Sequence, residues 1–121
     1  MRKVLVVDDD DQIIKMLQLL LRPRGFEITA AADGQAGLQM ALDKLPDLII
    51  ADIMMPRMDG PTFIGQLRNK LPDKKIPVIF LTGLVSKTEE KGQNHFIGNE
   101  YFVAKPFSTS TMLELINRVL K

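Results

Sequence analysis

The sequence contains no cysteine. That excludes a disulfide scaffold, thiolate catalysis and a cysteine-ligated zinc site. Its single histidine, His95, lies in a polar stretch and reads as a structural or surface residue. An excess of one charge is also missing. Sixteen Lys and Arg against fifteen Asp and Glu give a formal net charge of +1, so no overall basic field steers the chain to nucleic acid. No apolar run is long enough to span a bilayer. The start, Met1-Arg2-Lys3, leads into an apolar run too short for a signal-peptide core and ended by four aspartates. Linkers, repeats and low-complexity tracts are absent. What remains is 121 residues, 45% hydrophobic and 26% charged, enough for one domain over 1–121 with a real core. A soluble, cytoplasmic protein without membrane contact is the expectation.

The chain alternates between two periodicities. Short apolar runs read as strands at 3–7, 26–31, 48–51, 76–81 and 101–104. Between them, apolar residues recur at helical spacing. The stripes are Ile13, Ile14, Leu17, Leu20 and Leu21; Ala36, Leu38, Ala41, Leu42 and Leu45; Phe63, Ile64, Leu67 and Leu71; and Met112, Leu113, Ile116, Val119 and Leu120. A fifth, very polar helix is expected over 86–97. The punctuation agrees. Asp10 or Asp11 can cap the first helix, Gly25 stops it, Pro61 stands in the first turn of the third, and Ser108 opens the last. Five strands alternating with five helices predict a doubly wound α/β domain. Near-continuous apolar strands suit a parallel sheet with helices on both faces.

The strand ends carry the chemistry. Asp8 and Asp9 follow Val4-Leu5-Val6-Val7, Asp52 follows Leu48-Ile49-Ile50-Ala51, Thr82 ends the run at Leu81, and Lys105 follows Tyr101-Phe102-Val103-Ala104. A parallel sheet brings carboxyl ends of strands to one edge, where doubly wound folds bind ligands. Singly, each of these residues is an ordinary turn or loop former; five matching strand ends exceed coincidence. A buried carboxylate is costly without partners, and three close carboxylates raise the pKa of at least one unless a cation joins them. Oxygen donors without His or Cys favour Mg²⁺. A carboxylate is also a nucleophile able to form an acyl phosphate, with an ammonium and a hydroxyl suited to phosphoryl oxygens.

The chain resembles a response-regulator receiver domain of two-component signalling, chemotaxis-regulator-like. The matching segments are Val4-Leu5-Val6-Val7-Asp8-Asp9-Asp10, Pro46-Asp47-Leu48-Ile49-Ile50-Ala51-Asp52-Ile53-Met54-Met55-Pro56-Arg57-Met58-Asp59-Gly60, Ile76-Pro77-Val78-Ile79-Phe80-Leu81-Thr82-Gly83 and Val103-Ala104-Lys105-Pro106-Phe107. They span nearly the whole chain in order and spacing, which makes the composite far more specific than a short motif. The resemblance implies a flavodoxin-like sheet in strand order 2-1-3-4-5. It implies that Asp52 is the phosphoacceptor, that Asp9 binds Mg²⁺ directly and Asp8 mainly through water, and that the Met54 backbone carbonyl completes the protein ligands. Thr82 would turn toward the phosphoryl group, Lys105 would pair with its oxygen, Phe102 would be the switch aromatic, and the bond before Pro106 would be cis. Met54 and Leu84 fall where residues flank the approach of the hydrolytic water.

Some positions depart from the common pattern. Gly83 stands where Ala is usual, and Phe102 where Tyr is frequent, so no outward hydroxyl is available there. The stretch 87–99 departs most. The resemblance implies a histidine kinase or histidine phosphotransfer protein as phosphoryl donor, a downstream protein or output domain, and room for a homodimer on phosphorylation. It implies no direct nucleic acid binding by this domain. It also implies no turnover of an external substrate, beyond assistance to the chain's own phosphorylation and dephosphorylation. No output domain follows Lys121, so a stand-alone protein and one domain of a longer chain both stay open. An aspartate-nucleophile phosphatase would carry Asp two residues after the nucleophile, where this chain has Met54. A flavin or nucleotide module would want a Gly-rich phosphate loop after the first strand; four aspartates stand there instead.

Overall fold

The computed structural model describes residues 2–83, 96–97 and 100–120. Along the chain run β1 (Lys3–Val7), α1 (Asp11–Leu21), a 3₁₀ turn (Arg22–Arg24), β2 (Glu27–Ala31), α2 (Gly34–Lys44), β3 (Leu48–Asp52), α3 (Gly60–Lys70), β4 (Val78–Thr82), β5 (Phe96–Ile97), β6 (Glu100–Ala104) and α4 (Thr109–Val119). The sheet order is β2-β1-β3-β4-β6-β5. The first five of these are parallel neighbours, so the parallel strands alone follow the order 2-1-3-4-5. β5 adds a two-residue antiparallel edge, with Phe96 opposite Tyr101 and Ile97 opposite Glu100.

β5 corrects the expected fifth helix at its end. The backbones of Phe96 and Ile97 pair with β6, whose edge groups need partners. The rest of 86–97, with His95, lies outside the described residues, as does Leu84.

Strand alternation splits the core in two. Val4, Val6, Leu48, Ile50, Ile79, Leu81 and Val103 face one side, with Leu17 and Leu21 of α1 and Met112, Leu115 and Ile116 of α4. Leu5, Val7, Ile49, Ala51, Val78 and Phe80 face the other, with Ala41 of α2 and Phe63, Ile64 and Leu67 of α3. Three expected details differ. Ala36 is exposed, in the first turn of α2. Leu45 caps α2 at φ 48, which turns it off the helical face. Leu115, absent from the expected stripe, is buried.

The caps follow the sequence. Asp10 accepts from the Gln12 N–H, Asp33 from Ala36, Asp59 from Thr62 and Ser108 from Thr111. Gly25 takes φ 89 after the 3₁₀ turn. Gly60 is needed for a different reason: a Cβ there would stand 2.4 Å from the Asp52 carbonyl oxygen and 3.1 Å from the Phe80 ring. Gly60→Ala must push α3 away from β3. We expect a loss of about 1–3 kcal/mol from overpacking, read as a lower urea midpoint at unchanged m. A midpoint equal to wild type defeats this account of Gly60.

Candidate functional site

Register explains how separate segments meet. Val6 lies opposite Ile50 and Leu81 opposite Val103. Asp8 and Asp52 each lie two residues beyond the first pair, and Lys105 two beyond Val103. The period of two therefore sends these three side chains to the same side of the sheet edge. Thr82 ends β4 opposite Ala104, in phase with Phe80, and its carbonyl accepts the Lys105 N–H at 2.8 Å.

The carboxylates differ in setting. Asp8 is fully buried, Asp52 and Thr82 are buried, and Asp9 is exposed. One oxygen from each of Asp8, Asp9 and Asp52 lies within 4.8 Å of the others. Lys105 Nζ stands 3.1 Å from Asp8 Oδ2 and 3.3 Å from Asp52 Oδ2. Asp8 Oδ1 accepts the Asp10 N–H at 2.9 Å. Asp8 Oδ2 is paired with the Lys105 ammonium. Burial pushes the Asp8 carboxyl up from 3.8, with the Asp52 charge adding to it, against the lowering pull of the Asp10 N–H and Lys105. Burial alone would lower the Lys105 ammonium; Asp8 and Asp52 outweigh it and raise it.

Three carboxylates thus gather beside one ammonium, which leaves the group with an excess of negative charge. An all-oxygen donor set with excess negative charge fits a hard divalent cation and suits neither zinc nor copper.

The other expected residues lie around this group. Met54 is 63% exposed, two residues beyond the end of β3. Phe102 is half-buried on β6, its ring 5.4 Å from that of Phe80 at a tilt of 31°. The Lys105–Pro106 peptide bond is cis. Sequence reasoning missed the pair Asp33 and Arg57, whose Oδ2 and Nη1 are 2.8 Å apart. Asp33 was findable, being a helix-capping residue before an apolar stripe. Arg57 carries no local signal, since its partner is 24 residues away.

Comparison with known proteins agrees with this fold. The family of the response regulator receiver domain matches residues 4–117. The chain is 33% identical over 121 residues to the DNA-binding dual master transcriptional regulator RpaA of Synechocystis sp., covering 100% of this chain and 50% of that protein. It is 34% identical over 122 residues to the alkaline phosphatase synthesis transcriptional regulatory protein PhoP of Bacillus subtilis, covering 99% of this chain and 49% of that one. It spans about half the length of these curated relatives. Among solved structures, the chemotaxis response regulator CheY4 of Vibrio cholerae superposes with a TM-score of 0.84 at 36% identity, covering 99% of both chains. Among the described residues, no helix is long and apolar enough to cross a membrane. With the family matched over nearly its full length and the fold alike, the chain belongs to the response regulator receiver domains, the signalling domains of two-component systems.

Proposed function

We propose that Asp52 accepts a phosphoryl group from a phosphohistidine on a histidine kinase or histidine phosphotransfer protein. An Asp52 carboxylate oxygen attacks phosphorus, the new O–P bond forms, and the N–P bond breaks with its electron pair leaving on the imidazole nitrogen. The observation that carries this is the pairing of a buried Asp52 with Lys105 at 3.3 Å beside two further carboxylates. The Lys105 ammonium pairs with the Asp52 carboxylate before transfer and with a phosphoryl oxygen after it. The Thr82 hydroxyl, at the end of the neighbouring strand, takes another. Phe102, on the strand that leads to Lys105, reports the change toward the partner surface.

Asp9 and Asp52, with Asp8 in support and the Met54 carbonyl, would hold Mg²⁺. When bound, the ion offsets carboxylate repulsion and supplies positive charge to the phosphoryl oxygens. Its support is the oxygen-only donor set, in which three carboxylates share one ammonium. The domain turns over no external substrate; its own residues assist phosphorylation and hydrolysis. The signal passes to a downstream protein or an output domain, as the transcriptional-regulator names of the longer relatives suggest. Phosphorylation-dependent homodimer formation and a cytoplasmic setting belong to the same proposal.

The test is incubation with acetyl phosphate, with and without Mg²⁺, followed by intact mass measurement. One phosphoryl group is expected, and only with the metal. Asp9→Asn should weaken Mg²⁺ binding by about tenfold or more, because a carboxylate ligand becomes a neutral amide. It should leave metal-free stability unchanged or higher, since a like charge is removed. Unchanged Mg²⁺ affinity in that variant counts against the metal site. Failure of the wild type to take a phosphoryl group counts against the whole proposal.

A further inference from the structure

The loop between β3 and α3 carries the Met54 carbonyl. Backbone hydrogen bonds tie its ends. The Ile53 N–H donates to the Leu81 carbonyl at 3.0 Å, the Gly60 N–H to the Ile53 carbonyl at 2.9 Å, and the Met58 N–H to the Pro56 carbonyl at 2.7 Å. A backbone carbonyl has no rotatable side chain to aim it. Its position follows from the path of the loop.

Two adjacent loop residues dock on two adjacent residues at the start of α2. Arg57 Nη1 donates to Asp33 Oδ2 at 2.8 Å. Met58 packs so closely on Gly34 that a Cβ there would stand 2.3 Å from the Met58 carbonyl oxygen and 2.9 Å from its Cβ. Asp33 is a firm anchor. It is 8% exposed, and its other oxygen accepts the Ala36 N–H at 2.8 Å. α2 is itself set close to the sheet by Gly37, where a Cβ would meet Val7 at 2.9 Å. Arg57 lies at φ 69, a left-handed conformation that disfavours an L side chain and suits glycine. The sequence nonetheless has arginine there, and its guanidinium reaches the capping carboxylate.

We propose that Asp33 and Gly34 form a seat for the β3–α3 loop, and that Arg57 is a positioning residue for the cation site, acting through the loop path on the Met54 carbonyl. This rests on the reading of Asp9, Asp52 and Met54 as cation ligands. The start of α2 would then tune metal affinity without touching the metal.

The experiment is calorimetric titration of the whole chain with Mg²⁺ alone, paired with melting in EDTA. Arg57→Gly should lower Mg²⁺ affinity by about two- to fivefold, the range open to an exposed ion pair. It should not lower the metal-free melting temperature, because glycine relieves the backbone strain. A purely structural role predicts the reverse: lost stability and unchanged affinity. Asp33→Asn keeps a capping side chain but removes the charge, and should match Arg57→Gly. The double variant should be no weaker than either single one. Arg57→Lys, which keeps the charge without the planar fork, should fall between. Wild-type affinity in Arg57→Gly, or losses that add in the double variant, overturn the seat. If the wild type binds no Mg²⁺, or Asp9→Asn binds it equally well, the cation reading fails and the seat with it. If Asp9→Asn loses affinity and Arg57→Gly does not, the seat alone fails.

Discussion

Asp52→Ala, incubated with acetyl phosphate and Mg²⁺, is expected to gain no phosphoryl group under conditions that load the wild type with one. The rate should fall by at least about a hundredfold, because removing a nucleophile costs more than removing a group that assists it. The neighbouring carboxylates are poor substitutes. Asp8 is fully buried and directs one oxygen to the Asp10 N–H and the other toward Lys105. Asp9 is exposed and is the more plausible bypass acceptor, so peptide mapping of any residual product identifies it. Asp52→Asn separates chemistry from folding. Burial first, and then the Asp52 charge, raise the Asp8 carboxyl above 3.8. A raised carboxyl binds its proton more tightly in the folded state. It therefore opposes folding fully above its raised value, and that opposition disappears as pH falls below 3.8. Removing the Asp52 charge relieves this repulsion and forfeits the attraction to Lys105. Asp8 stays paired with Lys105, and the three-carboxylate group carries excess negative charge. The metal-free variant should therefore be at least as stable as wild type near neutral pH, with any gain vanishing in acid. A folded Asp52→Asn that still takes a phosphoryl group at the wild-type rate refutes the assignment of Asp52.

The doubly wound sheet was legible because its strands are apolar runs ended by charge, and its helices carry period-3.6 stripes. The site was legible for a related reason. Asp8, Asp52 and Lys105 are each one step past a buried strand residue, so strand phase alone brings them together. Leu45 and Ala36 misled because an apolar residue at a helix terminus satisfies the stripe on paper while the cap turns it to solvent. β5 escaped because a two-residue antiparallel edge has no period of its own; it exists through its partner β6. Arg57 escaped for the same reason in another form. Its conformation and its ion pair depend on α2, and a sequence window around Pro56-Arg57-Met58 contains nothing of α2.

The phosphorylated state is expected to be long-lived. Hydrolysis of an aspartyl phosphate needs a water in line with the bond from phosphorus to Asp52. Residues able to orient or deprotonate such a water contribute about a hundredfold or more where present. Met54 stands two residues past Asp52 and is 63% exposed. A thioether accepts hydrogen bonds only weakly, so this side chain is unsuited to directing a water toward phosphorus. Leu84, two residues past Thr82 in the sequence, likewise offers no polar atom. Slow self-dephosphorylation suits a persistent signal, and an external phosphatase would be the means of shortening it. Met54→Asn supplies an amide at the exposed position, and Met54→Asn with Leu84→Glu adds a carboxylate at the second. We expect the single variant to lose phosphoryl groups several-fold faster than wild type and the double variant about tenfold faster or more, a modest share of what full assistance provides. The measurement is intact-mass decay after acetyl phosphate is removed, with Mg²⁺ held saturating so that changes in metal affinity do not enter. Decay as slow in the double variant as in the wild type means that water access at these two positions does not set the lifetime. The limit would then lie in leaving-group stabilisation by Lys105 and Thr82, which Lys105→Arg would reveal as a further change in rate.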